Sequence, residues 1–178
     1  MTLYLDMDGV IADFFSLLAK ENNVKHWKSI KDKERALVEA RNTDFFNRIE
    51  AFTTAQQLVD FARTTESWGI CSSPLRGDTM NSAYWKRVWL ERHGFMPDVE
   101  NCIFTGNKHK YAINKLDGKP NILVDDKPDN IKRWNDAGGI GIRYQADEDS
   151  TEKLIETFKK VLKYCFFPLT NASCFESI

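Results

Sequence analysis

Short apolar runs alternate with amphipathic stretches along this chain of 178 residues, and that order restricts the possible folds more than any other feature. Leu3–Leu5 reads as a strand, after which Phe14, Leu17 and Leu18 recur at the i, i+3, i+4 spacing of a helix. Thr53 or Thr54 supplies an N-cap for a second helix that buries Leu58, Val59 and Ala62. Residues 68–71, Cys102–Phe104, 122–124 and 140–144 read as the later strands. Between them, Trp85, Val88 and Trp89 mark a helix that Gly94 ends. Pro128 opens another through Ile131 and Trp134, which Gly138-Gly139 stops. Residues 151–163 form a closing helix on Leu154, Ile155, Phe158, Val161 and Leu162. Strands that alternate with helices predict an α/β fold: a parallel sheet with right-handed crossovers and helices on both faces. The polar stretch from about Trp27 to Glu50 has no strand character and predicts a small helical cap inserted after the first strand. The expected division is 1–13 and 68–164 as core, 14–67 as cap insertion and 165–178 as a tail.

Lys and Arg total 25 against 26 Asp and Glu, so bulk charge advertises neither a nucleic-acid nor a membrane partner. The first residues lack the basic region and apolar run of a signal peptide, and no stretch approaches transmembrane length, which gives a cytoplasmic expectation with no membrane partner. Cys71, Cys102, Cys165 and Cys174 are too irregularly spaced for a zinc site or redox pair and read as reduced thiols. His26, His93 and His109 are equally scattered.

Polar residues follow the strands directly, at the edge where ligands bind on parallel sheets. Asp6 and Asp8 follow the first strand, Ser72 and Ser73 the second, 105–110 with Lys108 and Lys110 the third, and Asp125-Asp126 the fourth. Carboxylates gathered at one edge repel unless a cation joins them, and hard oxygen donors favour Mg2+. The expected metal set is Asp6, Asp8, Asp125 and Asp126. Such an ion also binds phosphate oxygens. Asp6 then suits attack on phosphorus, and Asp8 suits protonation of the leaving alkoxide and later deprotonation of water. Hydroxyl and backbone donors at Ser72 and Ser73, with an ammonium from Lys108 or Lys110, suit the phosphoryl oxygens.

Asp6-Met7-Asp8-Gly9-Val10, then Ser72, a lysine, and Asp125-Asp126, resemble in order the four motifs of the haloacid dehalogenase-like phosphatases. Within them, the chain is most similar to the 5'(3')-deoxyribonucleotidases. The likeness lies in Phe45-Phe46 with Ile49, in Gly69-Ile70-Cys71-Ser72-Ser73-Pro74-Leu75, in Lys86-Arg87-Val88-Trp89, in Thr105-Gly106-Asn107-Lys108 and in Asp125-Asp126-Lys127-Pro128. The resemblance runs from about residue 3 to residue 144. It implies a Rossmann-like core, an inserted helical cap, magnesium, and hydrolysis of deoxynucleoside monophosphates. By it, Asp6 is the nucleophile and Asp8 the acid/base; the ion is held by Asp6, the Asp8 carbonyl and the second acidic pair. Ser72 replaces the family's threonine and Lys127 its arginine. The interval from Lys108 to Asp125 is also longer than the family's, which keeps Lys110 in competition with Lys108.

Phe14, Phe45 and Phe46 read equally as core and as platforms for a base, so they join Lys127 as candidate substrate contacts. A second reading keeps the chemistry but moves it to a 3' or 5' nucleic-acid end, with Lys25, Lys28, Lys31 and Lys33 as the dense basic candidate. A third is a non-catalytic module that binds a phosphorylated ligand. The apolar residues from Tyr164 to Leu169 leave packing on the core and a homodimer surface as alternatives.

Overall fold

A computed structural model describes residues 1–166, with side chains through residue 162. In chain order the elements are β1 (Leu3–Leu5), α1 (Phe14–Glu21), α2 (Lys33–Glu39), α3 (Ala55–Arg63), β2 (Trp68–Ser72), α4 (Thr79–Arg92), β3 (Cys102–Phe104), β4 (Ile122–Asp125), α5 (Pro128–Asp136), β5 (Ile140–Arg143) and α6 (Thr151–Phe166). The five strands pair in parallel in the order β3-β2-β1-β4-β5. The expected α/β architecture is the observed one, with each strand within a residue of its expected bounds. The tail expected at 165–178 falls almost wholly outside the described residues.

A strand turns successive side chains to opposite faces, and the two cores follow that alternation. Leu3, Leu5, Ile70, Ile122 and Val124 join one core with Leu58 and Val59 of α3, Trp89 and Leu90 of α4, and Phe158 of α6. Tyr4, Cys71 and Leu123 join the other with Ala112 and Trp134 of α5. The chain runs outward from β1 to β2 and β3, then returns to the far side of β1 for β4 and β5. The reversal falls between β1 and β4, and crevices form at the carboxyl ends of strands at such a point.

The excursion after β1 starts and ends on one clasp. Phe52 N–H donates to the Ile11 carbonyl at 3.1 Å and Asp13 N–H to the Glu50 carbonyl at 2.9 Å, around an antiparallel bridge between Ala12 and Ala51. Asp13 also caps α1, accepting from Ser16 N–H at 3.2 Å. The excursion shares the main core: Phe14, Phe45, Phe46 and Ile49 belong to the same buried cluster as β1. It is tied to α4 by Asn81, which donates to the Thr43 carbonyl at 2.9 Å, and by the Trp89 indole N–H, which donates to the Ile49 carbonyl at 2.7 Å. Beyond the clasp, α3 packs on α6, with Phe61 and Phe158 stacked at 5.4 Å. Among the described residues no helix is long and apolar enough to cross a membrane.

Trp89 is fully buried, and phenylalanine keeps most of its packing while stranding the Ile49 carbonyl. Trp89→Phe is expected to cost about 1–3 kcal/mol and Trp89→Ala about 3–5 kcal/mol, measured by urea unfolding. Equal stability of Trp89→Phe and the natural chain would show that the excursion does not depend on this hydrogen bond.

Candidate active site

Asp6 stands one residue beyond β1, where its N–H still donates to the Val124 carbonyl at 2.9 Å, so the sheet itself fixes it beside the end of β4. The chain then turns tightly: Val10, Ile11 and Ala12 all aim their N–H groups at the Met7 carbonyl, at 3.1, 2.9 and 2.9 Å. Gly9 makes the turn with φ +79°, and a Cβ there would lie 3.0 Å from Cγ and Oδ2 of Asp126. Its missing side chain therefore does two things: it permits the left-handed backbone, and it lets the Asp126 carboxylate settle against the loop.

Oxygens of Asp6, Asp125 and Asp126 lie within 4.8 Å of one another, and all three residues are buried. Oxygen ligands at about 2.1 Å from an octahedral magnesium stand roughly 3–4 Å apart, so this spacing fits such an ion. One Asp126 oxygen, Oδ1, is buried with no hydrogen-bond partner among the described residues, and so is Asp8 Oδ1. An all-carboxylate donor set, a buried carboxylate oxygen without a partner and a glycine that lets Asp126 settle against the loop together suit a hard divalent cation.

Two ammonium groups are built into the same cluster. Lys108 is 2% exposed, and its Nζ lies 2.8 Å from Asp6 Oδ2 and 2.5 Å from Asp125 Oδ2. Lys86 is fully buried; its Nζ donates to Asp8 Oδ2 and to Ser72 Oγ, both at 2.8 Å, and stands 4.3 Å from the centre of the Phe46 ring. Asp125 is saturated. Its Oδ1 accepts from Lys127 N–H at 2.9 Å, and the Asn130 amide donates to both of its oxygens at 3.0 Å. Asp6 Oδ1 accepts from Met7 N–H at 2.7 Å.

The titration of these groups follows from burial and pairing. Burial pushes the Asp6 carboxyl up, but Lys108 and Lys86 outweigh it and hold the group below the usual carboxylate range. Burial would likewise pull the Lys108 ammonium down, and Asp6 and Asp125 reverse that and raise it. Asp8 is raised, chiefly by burial, against the pull of Lys86. Asp125 is raised by burial and by Asp6, despite Lys108. Asp126, with no ammonium in contact, is pushed up to about 7 by burial, then by Asp6 and Asp125.

Asp6, Lys108, Asp125 and Asp126 thus lie in one cluster, and Lys86 ties Asp8 to Ser72 beside it. Ser73 stands beside them, donating to the Thr105 carbonyl at 3.3 Å and joining two of the strand-end loops. Lys127 presents its backbone to Asp125 and an exposed ammonium to solvent. Lys110 lies elsewhere. Two residues past Lys108 in a 3-10 turn, it is exposed and lines a cavity of about 580 Å³ with Met1, Thr2, Tyr4 and Asn121 at the amino ends of the strands. A second cavity of about 410 Å³, lined by Met1, Leu3, Phe61, Ile122 and Leu162, opens at that same remote edge. Phe14, Phe45 and Phe46 are 7%, 0% and 2% exposed and pack on one another, so the platform expectation gives way to core packing. Phe15 and Trp27, stacked at 4.8 Å and only partly buried, are the aromatic pair that keeps open surface at the start of the excursion.

Lys86 and Asn130 were missed as site residues. The signal for Lys86 was its place on the inward stripe of α4 with Ser82, Trp89 and Leu90, where a lysine needs a buried carboxylate. Asn130 carried no comparable signal beyond its position in the turn of α5 that follows Asp125-Asp126.

Comparison with protein-family models returns no match, and comparison with curated proteins returns none. Among solved structures, the chain is similar to a haloacid dehalogenase-like family hydrolase from Streptococcus pneumoniae, with 13% identity, a TM-score of 0.47, and 92% of this chain and 97% of that chain covered. It is similar to a haloacid dehalogenase-superfamily hydrolase from Geobacter sulfurreducens, with 10% identity, a TM-score of 0.49, and 80% and 88% covered. A third is a predicted phosphatase from Clostridium acetobutylicum, with 13% identity, a TM-score of 0.38, and 89% and 98% covered. Likeness this distant is similarity only, and the functional reading rests on the site's own residues.

Between pH 4 and 7 the folded ion-free protein keeps a proton on Asp126 that the unfolded chain has lost, so stability falls as pH rises through that window. Asp8 and Asp125, also raised, act in the same direction. Asp6, lowered, contributes only below the ordinary carboxylate value and outside the window. The shift of Asp126 from 3.8 to about 7 is worth at most about 4 kcal/mol. In chelator the melting temperature is expected to drop from pH 5 to pH 7.5, and millimolar magnesium to recover most of the loss at pH 7.5. A chelated protein that is stabler at pH 7.5 than at pH 5 would contradict this.

Proposed function

We propose that this chain is a magnesium-dependent phosphomonoesterase that hydrolyses (deoxy)nucleoside 5'-monophosphates through an aspartyl-phosphate on Asp6. The observation that carries the reading is the convergence of Asp6, Asp125 and Asp126 with the buried Lys108 at the point where strand order reverses. The nucleotide preference rests on the resemblance of 45–49, 69–75, 86–89, 105–108 and 125–128 to the deoxyribonucleotidases.

Magnesium, held by Asp6, Asp126 and the Asp8 carbonyl with Asp125 behind them, would neutralise phosphoryl oxygens and so lower the repulsion between an anionic nucleophile and an anionic substrate. Asp6 then attacks phosphorus as the bond to the leaving oxygen breaks, and Asp8 gives that oxygen its proton. The raised pKa of Asp8 suits a group that must hold a proton until this moment. Once ionised, Asp8 has the Lys86 ammonium at 2.8 Å to stabilise it. Asp8 next takes a proton from water, which attacks phosphorus, releases inorganic phosphate and restores Asp6. Lys108 and the donors at Ser72 and Ser73 offset charge on the transferring oxygens.

A phosphate-release panel with magnesium over nucleoside 5'- and 3'-monophosphates and sugar phosphates tests the substrate. Asp6→Asn is expected to abolish release while the melting curve stays cooperative; undiminished turnover would remove the mechanism. Lys108→Ala is expected to lower kcat by about 100-fold or more, and Lys110→Ala to stay within about twofold, since a surface lysine at the remote edge touches nothing that reacts. The reverse ranking would reassign the phosphate contact.

A further inference from the structure

The rim of the site carries cations that a lone phosphate does not need. Lys25, Lys28, Lys31 and Lys33 are all exposed, and from Asn22 to Lys31 the chain holds no acidic residue. Two of them flank Trp27, half-buried, with the Lys28 and Lys33 ammonium groups 5.8 and 5.1 Å from its ring and the His26 ring at 6.1 Å. Two nearby acids, Asp32 and Glu148, are already engaged. Asp32 caps α2 by accepting from Arg35 N–H at 2.9 Å, and Glu148, 3.9 Å from Lys28, also pairs with Arg143 at 3.2 Å. Glu34 is exposed on the outer turn of α2.

Two connections place this face at the mouth of the site. Trp27 stacks on Phe15, in the first turn of α1, directly after the loop that carries Asp6 and Asp8. Lys28 reaches Glu148 in the loop whose Ala146 N–H donates to the Gly9 carbonyl at 2.9 Å. In a chain of nearly balanced charge, lysines repeated at two- or three-residue intervals about an aromatic ring have the chemistry of a single-stranded nucleic-acid track. Ammonium groups meet successive backbone phosphates, and a base can stack on the ring.

We infer that residues 25–33 form a subsite for a 5'-phosphorylated single-stranded oligonucleotide whose terminal phosphate occupies the Asp6 site, a substrate class that rests on the phosphomonoesterase reading above. The same P–O ester bond breaks there, water supplies the new oxygen, and the products are inorganic phosphate and a strand with a 5'-hydroxyl. Next to the terminal phosphate, the strand leaves the mouth over the Phe15 and Trp27 rings and lays its following phosphates on the four lysines.

The test compares kcat/KM, with magnesium, for a 5'-phosphorylated oligothymidylate of roughly eight nucleotides and for thymidine 5'-monophosphate, across 50–200 mM salt. The slope of log kcat/KM on log salt is expected near −1 for the mononucleotide and near −4 for the oligonucleotide, the further −3 being that of about four phosphates neutralised on a single strand. A chain with Lys25, Lys28, Lys31 and Lys33 each replaced by Gln is expected to lose at least about tenfold on the oligonucleotide and to flatten its slope to about −1, while mononucleotide turnover stays within about twofold. That last rate also shows that the variant folds. Equal losses on both substrates, or an oligonucleotide rate indifferent to the replacements, overturn the subsite. Turnover of the mononucleotide alone overturns it too and leaves the phosphomonoesterase reading standing. Release from neither substrate overturns both.

Discussion

Charge balance at the end of β1 and β4 governs this molecule. Asp6, Asp8, Asp125 and Asp126 meet two ammonium groups, Lys86 and Lys108. Two negative charges remain, which is the charge of one divalent cation. The remainder is not spread evenly: Lys86 sits on Asp8, one ammonium, Lys108, is shared between Asp6 and Asp125, and Asp126 has none at all. Its carboxyl has a buried oxygen without a partner among the described residues, and burial, with Asp6 and Asp125 nearby, pushes it up to about 7. An uncompensated carboxylate in a buried site escapes its cost by taking a proton. The proton on Asp126 and a metal ion are alternative answers to the same electrostatic demand.

The fold creates this demand and also contains it. Parallel strands bring their carboxyl ends to one edge, and the reversal of strand order between β1 and β4 opens the crevice there. Gly9 then lets Asp126 approach the turn after Asp6 to a distance at which any side chain would crowd it. The excursion covers the side toward α4 without forming a body of its own. It returns on the Ala12–Ala51 bridge and feeds Phe45 and Phe46 into the main core. Phe46 forms the floor beneath Lys86, so apolar packing and the placement of an ammonium are one structural event. Low polarity around Lys86 strengthens its attraction to Asp8, since the effective dielectric there is far below that of water.

The acids were legible in the sequence because their physical oddity is local: a carboxylate straight after a short buried strand is anomalous whatever the rest of the chain does. The lysines were not, because a lysine is ordinary on any surface helix and its meaning depends on which way the backbone turns it. Lys108 and Lys110 differ by two positions in a 3-10 turn, where successive residues are rotated by about 120°. One enters the acid cluster and the other faces the opposite edge of the sheet. Periodicity alone could not orient a turn four residues long. Lys86 does carry a local signal, since it shares a helix face with Ser82, Trp89 and Leu90, but the carboxylate that it meets lies 78 residues away in the sequence. Aromatic residues failed in the other direction. Phe14, Phe45 and Phe46 have the right composition for a stacking platform, and tertiary packing consumed them as core.

Ion pairing and hydrogen bonding hold the cluster at Asp6 in place. Both Asp6 oxygens are occupied, one by Met7 N–H at 2.7 Å and the other by Lys108 at 2.8 Å, so its negative charge is held in place and its lone pairs are engaged. Lys108 is equally bound to Asp125, which Asn130 and Lys127 N–H orient from behind. A phosphoryl group arriving with its own negative charge competes for that ammonium. Asp126, by contrast, is the one carboxylate of the cluster that neither Lys86 nor Lys108 touches. The ion pairing of Asp6 and Asp125 thus passes through a single lysine, and the cluster's unmet charge is felt most at the carboxylate left without an ammonium.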